Sequence, residues 1–217
     1  MAVTDEEIVD ALRQNKFSEL SERMTRDELL KFSTRPRTLD EILAMAEGIT
    51  GKPPDGLKAP DEYEHALYAV GRVYGPDLLV WWDQRSLLDT NLLSKLLCGV
   101  WSLAELPEKI GRPRWIRWFR KTGFLSNCGA SQPTKPLRVY RGCTHRQVRH
   151  MAWSDDLRIA QFFANYRFER YGRSGPKSFV YTALIEPRGV LAIIEERKGE
   201  REVIVDPRFL RDIKRIP

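Results

Sequence analysis

Two glutamates stand two residues apart near the C-terminus, in Gly199-Glu-Arg-Glu-Val-Ile-Val-Asp-Pro207. Residues two apart on a strand share a face. Glu200 and Glu202 would therefore aim two carboxylates into one site, where repulsion tends to raise the pKa of one of them. A carboxylate so placed can stabilise developing positive charge. A solvated hairpin strand with the alternating charges of Glu200, Arg201 and Glu202 is the competing reading. Upstream, Arg141 ends the apolar run 137–141 and precedes Gly142. A guanidinium there can fork onto phosphate or carboxylate oxygens, and a glycine lets a ligand approach the backbone. A surface arginine in a turn would look the same. Ser154 follows Ala152 and Trp153 and precedes a helical pattern over 155–166, with Leu157, Ala160, Phe163 and Ala164 on or near one face. Ser154 or Asp155 could equally be a plain N-cap.

The order arginine, serine, glutamate at 141, 154 and 202 resembles the mono-ADP-ribosyltransferases of the arginine-serine-glutamate class, toxin-like enzymes that consume NAD. Val139-Tyr-Arg-Gly142, the Ala160-x-x-Phe-Ala164 helix and the Glu-x-Glu pair carry the resemblance, which covers about 137–207. It implies a glycosyl transfer in which the bond between ribose and nicotinamide breaks through an oxocarbenium-like transition state. Arg141, with Tyr140 and Gly142, would hold NAD, and Ser154 would support the ribose and the glutamate. Phe163 and Tyr171 would lie along the cofactor. Glu202 would be the catalytic carboxylate, and Glu200 would help select a guanidino acceptor, which favours a protein arginine slightly over nucleic acid as the macromolecule modified. The segment 195–199 would be a turn that recognises the acceptor, and 166–176, with Tyr171, Arg173 and Gly175, a loop over NAD. The toxin-like reading also brings an inhibitory partner protein as an expectation. The chain departs from the commoner Ser-Thr-Ser form, with Asp155 and Asp156 in the second and third places, and only 13 positions separate Arg141 from Ser154.

Other constellations are weaker. His65, His145 and His150 lack metal-ligand spacing, so no metal is expected. Cys143 with His145 has no third group to orient a nucleophile–base pair. Neither a P-loop nor a GxGxxG occurs, so NAD would not sit in a dinucleotide-binding βαβ unit. The segment 112–121 interleaves cations and aromatics, which suits stacking and phosphate contacts on single-stranded nucleic acid. It suits equally an amphipathic helix that buries Trp115, Ile116 and Phe119. A non-catalytic nucleic-acid-binding module built on 109–150 is thus the alternative to the enzyme.

The elements that must position these residues follow from texture. Of 217 residues, 42% are hydrophobic and 30% charged, an ordinary globular balance. Thr4, Thr25 and Thr38 each precede a glutamate by three places, the capping-box form, so 1–48 reads as helices. The stretch 48–60 reads as a loop, 61–105 as helix with a second amphipathic run over 87–106, and 114–121 as a short helix. From 137 the pattern turns to short apolar or β-branched segments at 137–141, 151–153, 179–185, 190–194 and 202–205. We expect an α+β protein, with a helical region over 1–130 and a small β-rich transferase-like core over 131–217, packed either as two domains or as one. Three cysteines and an acidic start without an apolar segment predict a reducing, cytoplasmic setting, and no run is long enough for a membrane span. The net charge is +6, yet the eleven Lys and Arg of 109–150 have no Asp or Glu among them. Such asymmetry points to an anionic partner such as NAD, nucleic acid or an acidic protein surface.

Overall fold

A computed structural model describes residues 3–104, 107–171, 177–197 and 199–216, with 108, 167–171 and 196–197 described by backbone alone. Helices come first and strands last, so the fold is α+β. The chain divides into two compact units, Met1–Ile110 and Gly111–Pro217.

The first unit is helical: α1 (Asp5–Arg13), α2 (Phe17–Arg23), α3 (Arg26–Thr34), α4 (Leu39–Thr50), α5 (Pro60–Gln84) and α6 (Thr90–Leu103). The three threonines predicted as caps are the N-caps of α1, α3 and α4, each with its reciprocal glutamate. Such boxes satisfy two of the N–H groups a helix start leaves open. Asp89 caps α6 through Leu92 N, at 2.7 Å. α5 breaks at Gly71, whose φ of 70° and ψ of −173° only glycine adopts without strain. Ile8, Leu20, Met24 and Phe32 form one small core of this unit. Glu41 is buried, with Arg35 Nη1 at 2.8 Å and Thr38 N at 2.9 Å. Burial works to raise its pKa, but hydrogen bonds from Arg35 and the Thr38 N–H, with the charges of Arg35 and Arg37, together outweigh this and leave it low. Before α5, the Lys52 ammonium and the Lys58 and Ala59 N–H groups hold the Glu62 pKa at about 2.

The second unit begins with α7 (Arg112–Thr122) and contains a seven-stranded sheet of order β1-β5-β6-β3-β2-β4-β7. Its strands are β1 (Leu125–Ser126), β2 (Leu137–Thr144), β3 (Ala152–Ser154), β4 (Ser178–Ile185), β5 (Val190–Arg197), β6 (Glu200–Val205) and β7 (Leu210–Arg215). Among the described residues only β1 pairs in parallel, with β5. One helix, α8 (Leu157–Tyr171), lies between β3 and β4 in the chain and packs on β2. α7 and β1, expected in the helical region, belong with the sheet. Trp115, Trp118 and Phe119 of α7 are buried and α7 packs on β5, which settles 112–121 as an amphipathic helix with its rings inside. A core of Val139, Cys143, Trp153, Tyr181, Val203 and Val205 lies on one face of the sheet. Cys143 is thus a core side chain, not a nucleophile at a surface. No described helix is long and apolar enough to cross a membrane.

Candidate active site

Three strands at the middle of the sheet, β6, β3 and β2, are neighbours. Tyr140 of β2 lies opposite Ser154 of β3, and Ser154 lies opposite Glu202 of β6. Directly opposed residues share a face, so Tyr140, Ser154 and Glu202 form one row across three strands. Glu200 lies two positions along β6 and shares that face. Sequence spacing alone joined the two glutamates; the pairing adds Ser154 and Tyr140.

Ser154 is 5% exposed. Its Oγ donates to the Arg201 carbonyl at 2.9 Å and accepts from Asp156 N at 3.0 Å. Arg201 stands between the two glutamates, so the serine anchors the piece of backbone that carries both carboxylates. Asp155 adds a second tie, with its Oδ2 3.3 Å from Arg201 Nε. The aspartate in the second place of the serine motif thus engages the middle residue of the Glu-x-Glu pair, a link not anticipated from sequence. The N-cap role suggested for Ser154 or Asp155 belongs instead to Asp156, whose Oδ1 accepts Arg158 N at 2.8 Å. The Arg158 side chain, which also bonds this carboxylate, is the main cause of its lowered pKa.

Arg141 is placed differently. It lies one step beyond Tyr140, opposite Tyr181 of β4. By strand alternation it points to the other face, between the buried Val139 and Cys143. Its Nε donates to the Gln147 carbonyl at 3.2 Å, and its Nη1 donates to the Ala152 carbonyl. The guanidinium therefore ties down the connection between β2 and β3, and the structure does not bring it to the row of Tyr140, Ser154 and Glu202.

Gly142 returns to the face of that row, but what approaches it is protein. A Cβ there would collide with the Ala160 carbonyl and the Ala164 amide nitrogen of α8. The missing side chain lets α8 lie against β2 and leaves no room for the ligand expected at this point. Gly142→Ala is expected to cost about 1–3 kcal/mol, the usual effect of forcing extra atoms into a packed contact. Denaturant unfolding of the variant measures this, and a change below about 0.5 kcal/mol would contradict so close an approach.

Within Ala160-x-x-Phe-Ala164 only the alanines are buried. Phe163 is 40% exposed and meets Phe162 edge-on, with ring centroids 5.4 Å apart. Phe162 stacks in turn on Tyr166 at 5.6 Å. Phe163 is therefore an outward aromatic on the helix that covers β2. α8 continues through 166–171, where a loop was expected. The Tyr171 side chain, the rest of that loop with Arg173 and Gly175, and Lys198 of the expected recognition turn lie outside the described residues.

Asp206, just beyond β6, was not singled out from sequence. It is 0% exposed, with Arg208 Nη2 at 2.6 Å and Arg120 Nη2 at 3.2 Å. Burial pushes its pKa up, but hydrogen bonds from Arg208 and Arg120 outweigh this, and the carboxyl stays charged below its ordinary range. A carboxylate that directly follows a β-branched run was the available signal. Among the described residues, no three His, Cys, Asp or Glu gather to hold a metal ion.

Comparison of the chain with family models, with curated proteins and with solved structures returns no match.

Proposed function

We propose that this protein is a mono-ADP-ribosyltransferase that moves ADP-ribose from NAD to a macromolecular acceptor and releases nicotinamide. The observation that carries the reading is the row of Tyr140, Ser154 and Glu202, with Glu200 on the same face of β6. In the reaction the bond between the ribose C1′ and the nicotinamide nitrogen breaks. The electron pair leaves with nicotinamide, and positive charge develops on the ribose. Glu202 opposes that charge. Ser154 holds the carboxylate's strand in place through the Arg201 carbonyl, a fixed arrangement that needs little reorganisation as charge develops. The acceptor then bonds to C1′ and loses a proton, and Glu200 is placed to align it. Arg141 supports the site through the connection it anchors, and a contact from Nη1 to the phosphates of NAD would require release of the Ala152 carbonyl. The paired glutamates favour a protein arginine as acceptor. The setting we propose is cytoplasmic, as a toxin or target-modifying effector with an inhibitory partner protein.

Incubation with labelled NAD and a cell lysate tests the reading. Label should enter macromolecules as nicotinamide is released; the absence of both incorporation and release would overturn the reading. A narrower test concerns Glu200. Glu200→Ala should reduce transfer to the acceptor by at least about tenfold more than it reduces hydrolysis of NAD, because its role is to align the acceptor and not to break the bond. Equal losses in the two assays would remove that role.

A further inference from the structure

A second site is built from residues that the transfer reading does not use. In the C-terminal unit, Arg112, Arg117, Arg120, Arg149 and Arg208 line a cleft of about 570 Å³ around Asp206. Asp206 is wholly buried and held by Arg120 and Arg208. Five arginines therefore share the cleft with one carboxylate, which pairs with two of them. Arg112 and Arg149 form no ion pair among the described residues. Charge of one sign concentrated in a cleft needs an anionic occupant, and guanidinium forks match phosphate oxygens. NAD offers only two phosphates and would leave most of this charge unmatched.

We propose that this cleft binds the phosphate backbone of nucleic acid. The rings that could have stacked on bases, Trp115, Trp118 and Phe119, are buried in α7. The helix lends the cleft Arg112, Arg117 and Arg120 beside the apolar side chains of Pro113 and Ile116, and no aromatic ring, so binding is to the backbone, independent of base sequence and driven by release of counterions. The cleft gathers arginines from three separated stretches of chain: α7, the connection between β2 and β3, and the segment after β6. β6 itself links it to the glutamates. At about 3.3 Å per residue, Asp206 lies about 13 Å beyond Glu202.

The test uses the full chain and a fluorescent DNA duplex of about 20 base pairs, read by anisotropy at about 50 mM salt. A dissociation constant on the order of micromolar is expected, rising steeply with salt. The double variant Arg112→Gln with Arg149→Gln should bind at least about tenfold more weakly. Its salt slope should fall by about 1–2, since each duplex phosphate contact contributes about 0.9. A control with the same change of charge, Lys135→Gln with Arg138→Gln, removes two exposed cations outside the cleft and should stay within about threefold of wild type. Neither pair touches Asp206, so both variants should melt with the native protein. A second measurement needs no variant: the duplex should protect Arg112 and Arg149, but not Arg138, from phenylglyoxal. No binding at low salt, equal losses in the two double variants, or equal competition by polyglutamate would overturn the assignment. The last outcome would mark the cleft as a seat for an acidic protein. None of these readouts involves NAD, so failure here and failure of the transferase reading are separate results.

Discussion

Glu202→Gln is expected to lower ADP-ribose transfer by on the order of 10²- to 10³-fold, while NAD affinity stays within about threefold. That is the scale of losing one preorganised group aimed at developing charge. Glutamine keeps the shape of the side chain and removes the charge that opposes the oxocarbenium-like ribose. The supporting contacts should survive the change, because Ser154 Oγ holds the Arg201 carbonyl and Asp155 holds the Arg201 side chain. Neither depends on the Glu202 carboxylate. Initial rates with labelled NAD, beside calorimetric binding of NAD, measure the two quantities separately. A wild-type rate in the variant would take Glu202 out of the mechanism and the proposed function with it. A parallel loss of NAD binding would instead make Glu202 a binding residue.

Asp206→Ala is expected to destabilise the C-terminal unit by about 3–5 kcal/mol, the range for removing one partner of a buried ion pair. Arg120 and Arg208 have side chains 41% and 72% exposed, so water can partly compensate them, and the lower end of the range is expected. Part of the loss is the backbone: the carboxylate also accepts Arg208 N at 3.2 Å and shapes the turn from β6 into β7. The pH dependence has a definite sign. The folded pKa of Asp206 lies below its ordinary value of 3.8. Its stabilisation is therefore present in full above that value and is lost as pH falls through the folded pKa. Denaturant unfolding of wild type and Asp206→Asn should show a gap at neutral pH that narrows below about pH 4. A gap that is independent of pH would mean that shape, not charge, makes the contact.

The amino-acid sequence by itself determined the elements whose causes are local. A capping box acts within four residues, which is why the starts of α1, α3 and α4 could be read at Thr4, Thr25 and Thr38. The strands β2, β5 and β6 were legible as short apolar or β-branched runs, because the propensity for a strand is written in consecutive side chains. The α+β order and the pairing of Glu200 with Glu202 followed from the same short-range logic.

Only the tertiary structure decided the rest. β1 has two residues, and β7 reads Leu-Arg-Asp-Ile-Lys-Arg; each is a strand because a neighbour, β5 or β4, supplies the hydrogen bonds. The face of Arg141 could not be read from its distance to Ser154. The connection at 145–151 leaves the sheet and returns, so alternation along β2 says nothing about β3. Pairing of Tyr140 with Ser154 settles it, placing the arginine with the core and the serine with the glutamates. Gly142 looked like room for a ligand until α8 was found against it. The eleven cations of 109–150 were visible as a total. That Arg112, Arg117, Arg120 and Arg149 meet Arg208 around a buried Asp206 was not, since charge is a property of residues while a cleft belongs to the segments that fold around it.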